Sequence, residues 1–482
     1  MNPERFGGLR IGSLKRVHIA GIAGSGLSGM ARLLHSLGLQ ISGSEMKDSK
    51  TLQGLSDAGI TCRVGHDASN IPAGTDLLVI TAAIGDENPE VLGARQRGIP
   101  VLKYAQMVGL LMLEKKGIAI AGTHGKTTTT SMVASVLAAA GRDPGFMIGG
   151  EYPILGGSSR WGLGEHFVAE ACEFDRSFLN FHPHFAVVTN IEEDHLDYFR
   201  SLAEIQEAFA QFVGQLAPEG HLVLNADDPH SGHLPGRTCA CVGWFSLHPG
   251  LADWWAEAIE PAGGGIRFTA RSAWGETVPV ALRVPGIHNV KNALAAIAIL
   301  RRIGLGQEEI AADLGRFTGA RRRFEILLRE PVTIVDDYAH HPTEIEAVLK
   351  AARETFKSRR IRLVFQPHQY SRTRRFLGRF AEVLARADET VVAKVYRARD
   401  SNEDVQLVDS EALVREIRLA GGHAESAPGF DDILEYLREN WSEGDVLICL
   451  GAGDINVLAR RLTEEFASYA PESVLAAAER EI

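Results

Sequence analysis

Ala119-Ile120-Ala121-Gly122-Thr123-His124-Gly125-Lys126-Thr127-Thr128-Thr129-Thr130 decides how this chain is read. Gly117 to Ala121 has the unbroken apolar character of a strand buried in a parallel sheet, and Ser131 to Leu137 continues as an apolar helix. Between them, Gly122 and Gly125 let the backbone turn its N–H groups toward an anion. Lys126 supplies a point charge for terminal phosphates, and Thr127 a hydroxyl for a phosphate-bound Mg²⁺. The spacing departs from the general Walker pattern, since Ile120 stands five residues before Gly125 where that pattern has glycine. The flanking strand and helix separate the segment from an ordinary strand-to-helix turn that happens to hold Gly and Lys. The expected ligand is ATP or a close relative.

A chain of 482 residues is long enough for about three domains. Its 45% hydrophobic and 23% charged content is that of a soluble globular protein. No apolar run reaches bilayer length, and Met1 to Phe6 lacks the charged and apolar regions of a signal peptide, so the expectation is a cytoplasmic protein without membrane insertion. Five scattered cysteines fit neither a zinc site nor a disulfide framework and read as reduced thiols. A net charge of −11 argues against a nucleic-acid surface, although Arg321-Arg322-Arg323 suits phosphate on a small molecule.

Outward from the cradle, the pattern repeats as α/β units. Val17 to Ala20, Leu27 to Leu37, Gln40 to Ser42, Leu77 to Ile80 and Pro100 to Leu102 alternate as strands and helices of a doubly wound unit. Its first turn, Gly21 to Gly29, is a glycine loop opening a helix, with Ala23 replacing the middle glycine of a dinucleotide fingerprint. Anion binding and a merely structural turn both fit it. Glu114 to Gly117 reads as a linker into the second unit, which adds strands at His166 to Ala169 and Phe185 to Thr189. The Gly- and Trp-rich stretch 232–285 suggests a small β subdomain, and a helix follows from His288 to Ile303. After Arg323, strands at Val332 to Val335, Ile361 to Phe365, Val391 to Val395 and Val446 to Leu450 form a third unit, ending in a helical tail over 463–482. The expectation is three consecutive α/β domains, at 1–112, 113–323 and 324–482, with sites in the clefts between them.

Polar chemistry gathers at the strand ends of the second unit. Thr189-Asn190-Ile191-Glu192-Glu193-Asp194-His195-Leu196-Asp197 follows one strand, and Glu170 precedes Ala171-Cys172-Glu173-Phe174-Asp175 at another. Carboxylate, imidazole and the Thr127 hydroxyl on one sheet edge suit Mg²⁺ shared with ATP phosphates.

These segments, with His288-Asn289-Val290-Lys291-Asn292-Ala293 and Arg321-Arg322-Arg323-Phe324, stand in the order and spacing of the Mur ligases, which the chain resembles from Arg16 to about Leu462. Those enzymes use ATP to add amino acids to the peptidoglycan precursor. Asp336-Asp337-Tyr338-Ala339-His340-His341-Pro342-Thr343-Glu344 and Phe365 to Arg374 resemble the branch that adds the first amino acid. The resemblance implies an N-terminal Rossmann-like UDP-sugar domain, a central P-loop ATPase-like domain and a C-terminal Rossmann-like domain. It implies ATP and Mg²⁺ as cofactors, UDP-N-acetylmuramate and L-alanine as substrates, and a monomer or homodimer.

By that resemblance Gly122, Thr123, His124, Gly125, Lys126, Thr127 and Thr128 hold the nucleotide, with Asn289, Asn292, Arg323 and Asp337. Lys126 and Arg323 oppose phosphate charge, while Thr127, Glu170 and His195 hold Mg²⁺. Gly24, Ser25, Gly26, Leu27 and Ser28 belong to the UDP-sugar site. His340 and His341 border the amino-acid pocket, ahead of a helix for which Thr343 and Glu346 are a candidate capping box. Arg372 and Arg374 face a diphosphate or acyl phosphate, unless they only begin an exposed basic helix. His195 or a nearby acid is the candidate general base. The chain departs from the family at Cys172, where Asp is usual and Asp175 is a candidate replacement, and at Glu45. It has no lysine between His195 and Gly220, where later-acting siblings carry a carbamylated one.

Overall fold

Ile118, Ala119, Ile120 and Ala121 are fully buried, as strand residues are when helices cover both faces of a sheet. The computed structural model describes residues 6, 8–250 and 252–469 and places this strand, Lys116–Ala121, in the middle of three sheets.

The first sheet has five parallel strands in the order Thr61–Val64, Gln40–Glu45, Arg16–Ala20, Leu77–Ile80, Val101–Lys103. Strand order reverses about Arg16–Ala20, which opens a crevice at its carboxyl end, where the glycine loop feeds the helix Ser25–Ser36. Thr61–Val64 went unread in the sequence because it is mostly exposed and carries no apolar run.

The middle sheet has ten strands among the described residues. Lys116–Ala121 lies between Phe185–Val188 and His166–Ala171, parallel to both. The helices Lys126–Ala139 and Ile287–Ile303, each mostly buried, pack on it and on each other. The stretch expected as a separate β subdomain instead extends this sheet. Cys241–Ser246 pairs with Trp254–Ala262 through Phe245 and Ser246, and the antiparallel strands Gly265–Ser272 and Thr277–Leu282 follow. Phe245, Trp254 and Phe268 are buried in the same apolar cluster as Leu294 and Ile297, so the stretch has no core of its own. The expected linker is shorter than read: Lys116 and Gly117 already belong to the strand, and the Lys115 ammonium donates to the Gly162 and Gly164 carbonyls.

The third sheet runs Glu325–Leu328, Thr333–Asp337, Val446–Leu450, Ile361–Phe365, Glu389–Val392, Ala424–Ser426, with only the first strand antiparallel. The last helix is Ile455–Ala467; of the tail read as helical, 470–482 lies outside the described residues. Among the described residues no helix is long and apolar enough to cross a membrane.

The units join differently. One apolar cluster runs from Val17, Ile19 and Met30 through Met107 and Leu111 to Phe178 and Phe209, so the first and middle units share a core. The third unit has apolar clusters of its own on the two faces of its sheet.

Candidate active site

Two strand ends of the middle sheet are laced together around the cradle. Gly122 has φ 134° and Gly125 φ 82°. A Cβ at Gly122 would lie 1.9 Å from Thr189 Oγ1, and one at Gly125 would lie 2.4 Å from Asn292 Oδ1, so only glycine fits either position. Thr189 Oγ1 donates to the His124 carbonyl at 2.6 Å. The Asn190 amide brackets the same residue, accepting from His124 N at 3.0 Å and donating to its carbonyl at 3.1 Å. Thr123 Oγ1 accepts from Glu192 N at 2.8 Å. The outcome is a fixed turn, with Gly125 as the N-cap of Lys126–Ala139 and the helix N-terminus at the crevice.

The Lys126 ammonium folds back onto this turn. It donates to the carbonyls of Gly122 (2.5 Å) and Thr123 (2.9 Å) and pairs with Glu173 at 3.0 Å. Burial works against its charge, yet the adjacent Glu173, with Cys172 and Glu170 beyond, raises its pKa above the ordinary lysine value. Thr127 Oγ1 donates to Glu170 Oε2 at 2.9 Å, and Gly149 N donates to the same oxygen at 2.9 Å. His195 makes no hydrogen bond to Thr127 or Glu170; its Nε2 stands 3.9 Å from both Glu173 Oε1 and Asp194 Oδ2, and its buried Nδ1 has no hydrogen-bond partner. Glu173, which the sequence reading gave no role, therefore links His195 to Lys126. Asp175 does not replace the acid missing at Cys172, because its carboxylate reaches the first unit and pairs with Lys103 at 2.8 Å. Burial pushes the Cys172 thiol up to about 12, which keeps it protonated and uncharged there.

Beside the cradle, the middle and third units enclose a cavity of about 310 Å³. Phe245, Val284, Phe317 and Phe324 give it apolar walls, while Gly125, Thr128, Asn289, Asn292, Arg323 and Asp337 bring polar groups to its edge. A planar base with a charged tail fits such a lining. Asn289 and Asn292 share one helix face: Asn292 Nδ2 donates to Asn289 Oδ1 at 3.3 Å, and Asn289 Nδ2 to the Pro285 carbonyl at 2.7 Å. Of the three consecutive arginines, only Arg323 lines the cavity, its guanidinium 5.1 Å from the Tyr338 ring centroid. Arg321 pairs with Glu325, and Arg322 donates to the Gly451 and Gly453 carbonyls. Asp337 accepts from Phe324 N and Ala339 N, each at 2.7 Å; burial lifts its pKa to about 6 despite nearby Arg323.

The seam between the middle and third units carries the remaining groups. Asp194 Oδ1 accepts from Arg372 Nε at 3.1 Å and Nη2 at 2.7 Å. Burial opposes ionisation of Asp194, yet His195 and Arg372 hold its carboxyl well below the usual range. Arg372 is thus a buried interdomain tie, whereas Arg374 is half-exposed and pairs with Asp404 at 3.4 Å. Both line a second cavity of about 520 Å³ with Asp194, His195 and Arg200.

His124 bridges the units, its Nε2 3.0 Å from Glu192 Oε2 and its Nδ1 3.2 Å from Glu344 Oε1. Burial alone would lower it, but these two carboxylates raise it to about 9. Thr343 Oγ1 donates to Glu192 Oε1 at 2.6 Å. The expected capping box of Thr343 and Glu346 is not formed. Pro342 fixes the first turn of Pro342–Phe356, so His341 is the N-cap, with His341 N donating to Glu344 Oε2 at 3.3 Å, while Glu346 pairs with Arg386. His340 sits 5.8 Å, ring to ring, from His368, and burial lowers it to about 4, a neutral imidazole at pH 7.

In the first unit, Gly24 is the N-cap of Ser25–Ser36, and a Cβ at Gly26 would lie 2.8 Å from the Tyr104 ring. Leu27 is buried in the core, so it can offer a ligand only backbone, and Ser28 Oγ donates to the Ser25 carbonyl. Glu45 Oε2 accepts from Ala23 N at 3.2 Å, placing the departing side chain on the glycine loop itself.

Glu173, Glu192 and Glu344 were not singled out from the sequence. Each lies in a quoted motif, and the signal was an acid next to a strand end or three residues past a helix start.

Three family models match the chain: the Mur ligase family catalytic domain over residues 16–136, the Mur ligase middle domain over 120–300, and a Mur ligase glutamate ligase domain over 322–453. A UDP-N-acetylmuramate–L-alanine ligase of Desulforamulus reducens is 42% identical over 455 residues, 94% of this chain and 98% of that one. One from Xanthomonas oryzae is 43% identical over 455 residues, 93% of this chain and 94% of its own. The solved UDP-N-acetylmuramate-alanine ligase of Thermotoga maritima superposes with a TM-score of 0.80 at 30% identity, covering 95% of this chain and all of that one. A murein peptide ligase of Psychrobacter arcticus follows at a TM-score of 0.70 and 26% identity, covering 93% and 98%.

Proposed function

The chain belongs to the Mur ligase family, and from that premise we propose how its residues carry out their reaction. It is an ATP-dependent ligase of peptidoglycan precursor synthesis, joining L-alanine to the lactyl carboxylate of UDP-N-acetylmuramate through an acyl phosphate and releasing ADP and phosphate. We divide the labour at the bounds read from the sequence: UDP-sugar at 1–112, nucleotide at 113–323, and at 324–482 the face that closes on both, with the protein at work in the cytoplasm as a monomer or homodimer.

The observation that carries this reading is the cradle at the rim of the 310 Å³ cavity, with Lys126, Thr127 and Glu170 within hydrogen-bond reach of one another or of the turn. An apolar pocket for the base, a helix N-terminus for the phosphates and a hydroxyl–carboxylate pair for a hard cation follow each other along one crevice. Thr127 and Glu170 fit Mg²⁺ by their oxygen donors, and His195 adds a buried, unpartnered imidazole nitrogen nearby. Bound there, Mg²⁺ would neutralise phosphate charge.

A carboxylate is a poor electrophile, so the lactyl oxygen attacks the γ-phosphorus and ADP leaves. Lys126 and Arg323 oppose the charge that develops on the transferring group. The amine of alanine then attacks the acyl carbonyl, and phosphate departs from the tetrahedral intermediate. The amine must first lose a proton; His340, kept neutral by burial, can take it, and His195, beside Asp194 and Glu173, is the alternative base only where it does not hold the metal. Arg372, fixed by Asp194, sets the third unit against this edge.

Phosphate release measured across the twenty amino acids, with and without UDP-N-acetylmuramate, tests the reading. Release that requires the sugar nucleotide and is fastest with L-alanine is expected. Release independent of either co-substrate would overturn it.

A further inference from the structure

His124 of the cradle comes together with Glu192 and His341, and none of the steps above uses the three as a set. One donor atom from each lies within 4.8 Å of the other two. The two imidazole rings tilt by 40° with centroids 4.9 Å apart. His341 is 2% exposed, and its buried Nε2 has no hydrogen-bond partner. A buried polar atom left unpaired calls for an explanation.

We propose that these three side chains form a site for a transition-metal dication of the Zn²⁺ class, distinct from the Thr127–Glu170 pair. Two imidazoles and a carboxylate are borderline-soft donors that select Zn²⁺, Co²⁺ or Ni²⁺ over Mg²⁺, which demands oxygen ligands in an octahedron. Three protein ligands leave a fourth tetrahedral position for water.

His124 Nε2 and Glu192 Oε2 are held 3.0 Å apart by a hydrogen bond; the cation replaces its proton, which is released to solvent, and needs the two atoms to part only to the ~3.3 Å separation of ligand atoms around a tetrahedral zinc with bonds of about 2.0–2.1 Å. The other nitrogen of His124 already faces Glu344 Oε1 at 3.2 Å, the carboxylate–imidazole pairing that orients a metal-bound histidine. To complete the site His341 must turn its ring, releasing the long 3.4 Å bond from Thr343 N to its Nδ1. Glu192 and His124 belong to the middle unit and His341 to the third, so the cation ties the two together. The same His124 and Glu192 line the nucleotide cavity, so the cation would sit at its edge.

The test uses the full chain, free of nucleotide and in excess Mg²⁺, titrated with Co²⁺ and followed by visible d–d absorption, with Zn²⁺ binding measured by equilibrium dialysis. The expected result is a single bound cation with a four-coordinate spectrum. His341→Asn, which keeps the helix cap, and Glu192→Gln each abolish that spectrum. Glu344→Gln weakens binding about tenfold, and His195→Ala retains it. Binding unchanged in both His341→Asn and Glu192→Gln, binding lost in His195→Ala, or ready displacement by Mg²⁺ would each overturn the assignment.

Discussion

Replacing Lys126 by alanine separates two roles of one side chain. Its ammonium is held by Glu173 at 3.0 Å and by the Gly122 and Thr123 carbonyls, with the two side chains only 12% and 2% exposed. Removing one partner of such a buried pair costs about 3–5 kcal/mol, because the remaining charge keeps its desolvation without its attraction. The lower end applies, since His195 Nε2 lies 3.9 Å from Glu173 Oε1 and offsets part of the loss. A loss of about 3 kcal/mol lowers the melting temperature of a domain this size by roughly 6–12 °C. Turnover suffers separately: losing a group aimed at developing phosphoryl charge costs about 10²–10³ in kcat. Glu173→Gln added to Lys126→Ala removes the stranded charge, so the double variant regains at least half of the melting temperature and none of the turnover. UDP-N-acetylmuramate binding, followed by calorimetry, stays within about twofold in both, because the Gly24–Ser28 loop lies in another unit. Lys126→Ala with turnover within tenfold of the parent, or a double variant that regains activity along with stability, would refute the assigned phosphate role.

Gly125→Ala places a Cβ 2.4 Å from Asn292 Oδ1 at a φ of 82°; about 1–2 kcal/mol of stability is lost to the left-handed backbone alone, and ATP affinity measured by titration falls at least tenfold. For His124 the folded pKa is raised to about 9, so its stabilising contribution is complete below the ordinary histidine value near 6.5 and is lost as pH rises through about 9. The melting temperature therefore declines across that window in the parent, and His124→Gln flattens the decline; parallel curves would show that the bridge to Glu192 and Glu344 contributes nothing. Arg372→Lys keeps the charge but not the fork that gives Asp194 bonds of 3.1 and 2.7 Å, and kcat/KM for the amino acid is expected to fall at least about tenfold; a KM and kcat like the parent's would make the interdomain tie dispensable.

Much of this arrangement was legible because period and composition are strong where burial is complete. The cradle strand, Ile361–Phe365 and Val446–Leu450 are apolar on both faces, so a run of Val, Ile, Leu and Ala marks them. Thr61–Val64 is largely exposed and carries no such mark. The strands after Ser246 misled for another reason: Gly and Trp content suggested a β subdomain, but not that its buried face needs the helix Ile287–Ile303 to cover it. In the site, the hydrogen-bonded pair Thr127 and Glu170 could be read from strand ends, since a sheet brings such ends together. The bridging acids Glu173, Glu192 and Glu344 could not. Glu344 meets His124 only where two units approach, and Glu173 and Glu192 meet Lys126 and His124 across strand ends of the middle unit; sequence spacing is silent on each of those distances. The capping box failed by two residues, because Pro342 sets the helix start more firmly than a Thr–Glu spacing does.

The seams of the molecule differ in what they cost to open. First and middle units bury one apolar cluster, and separating them would return that area to water at about 25 cal/mol per Å². The side-chain ties from middle to third unit at the site are polar: His124 to Glu344, Glu192 to Thr343, Asp194 to Arg372, Asp197 to Arg399. Each exchanges with water at a net cost of about 0.5–1.5 kcal/mol, somewhat more where charge is involved, so the third unit is the one placed to swing. Another polar tie, inside the middle unit, keeps a cation ready. Glu173 holds Lys126 charged and close to the turn, where a phosphate oxygen would later compete for it. On the proposed reading, nucleotide binding at this edge would exchange one anion for another around a fixed positive charge, which avoids the cost of desolvating that charge a second time.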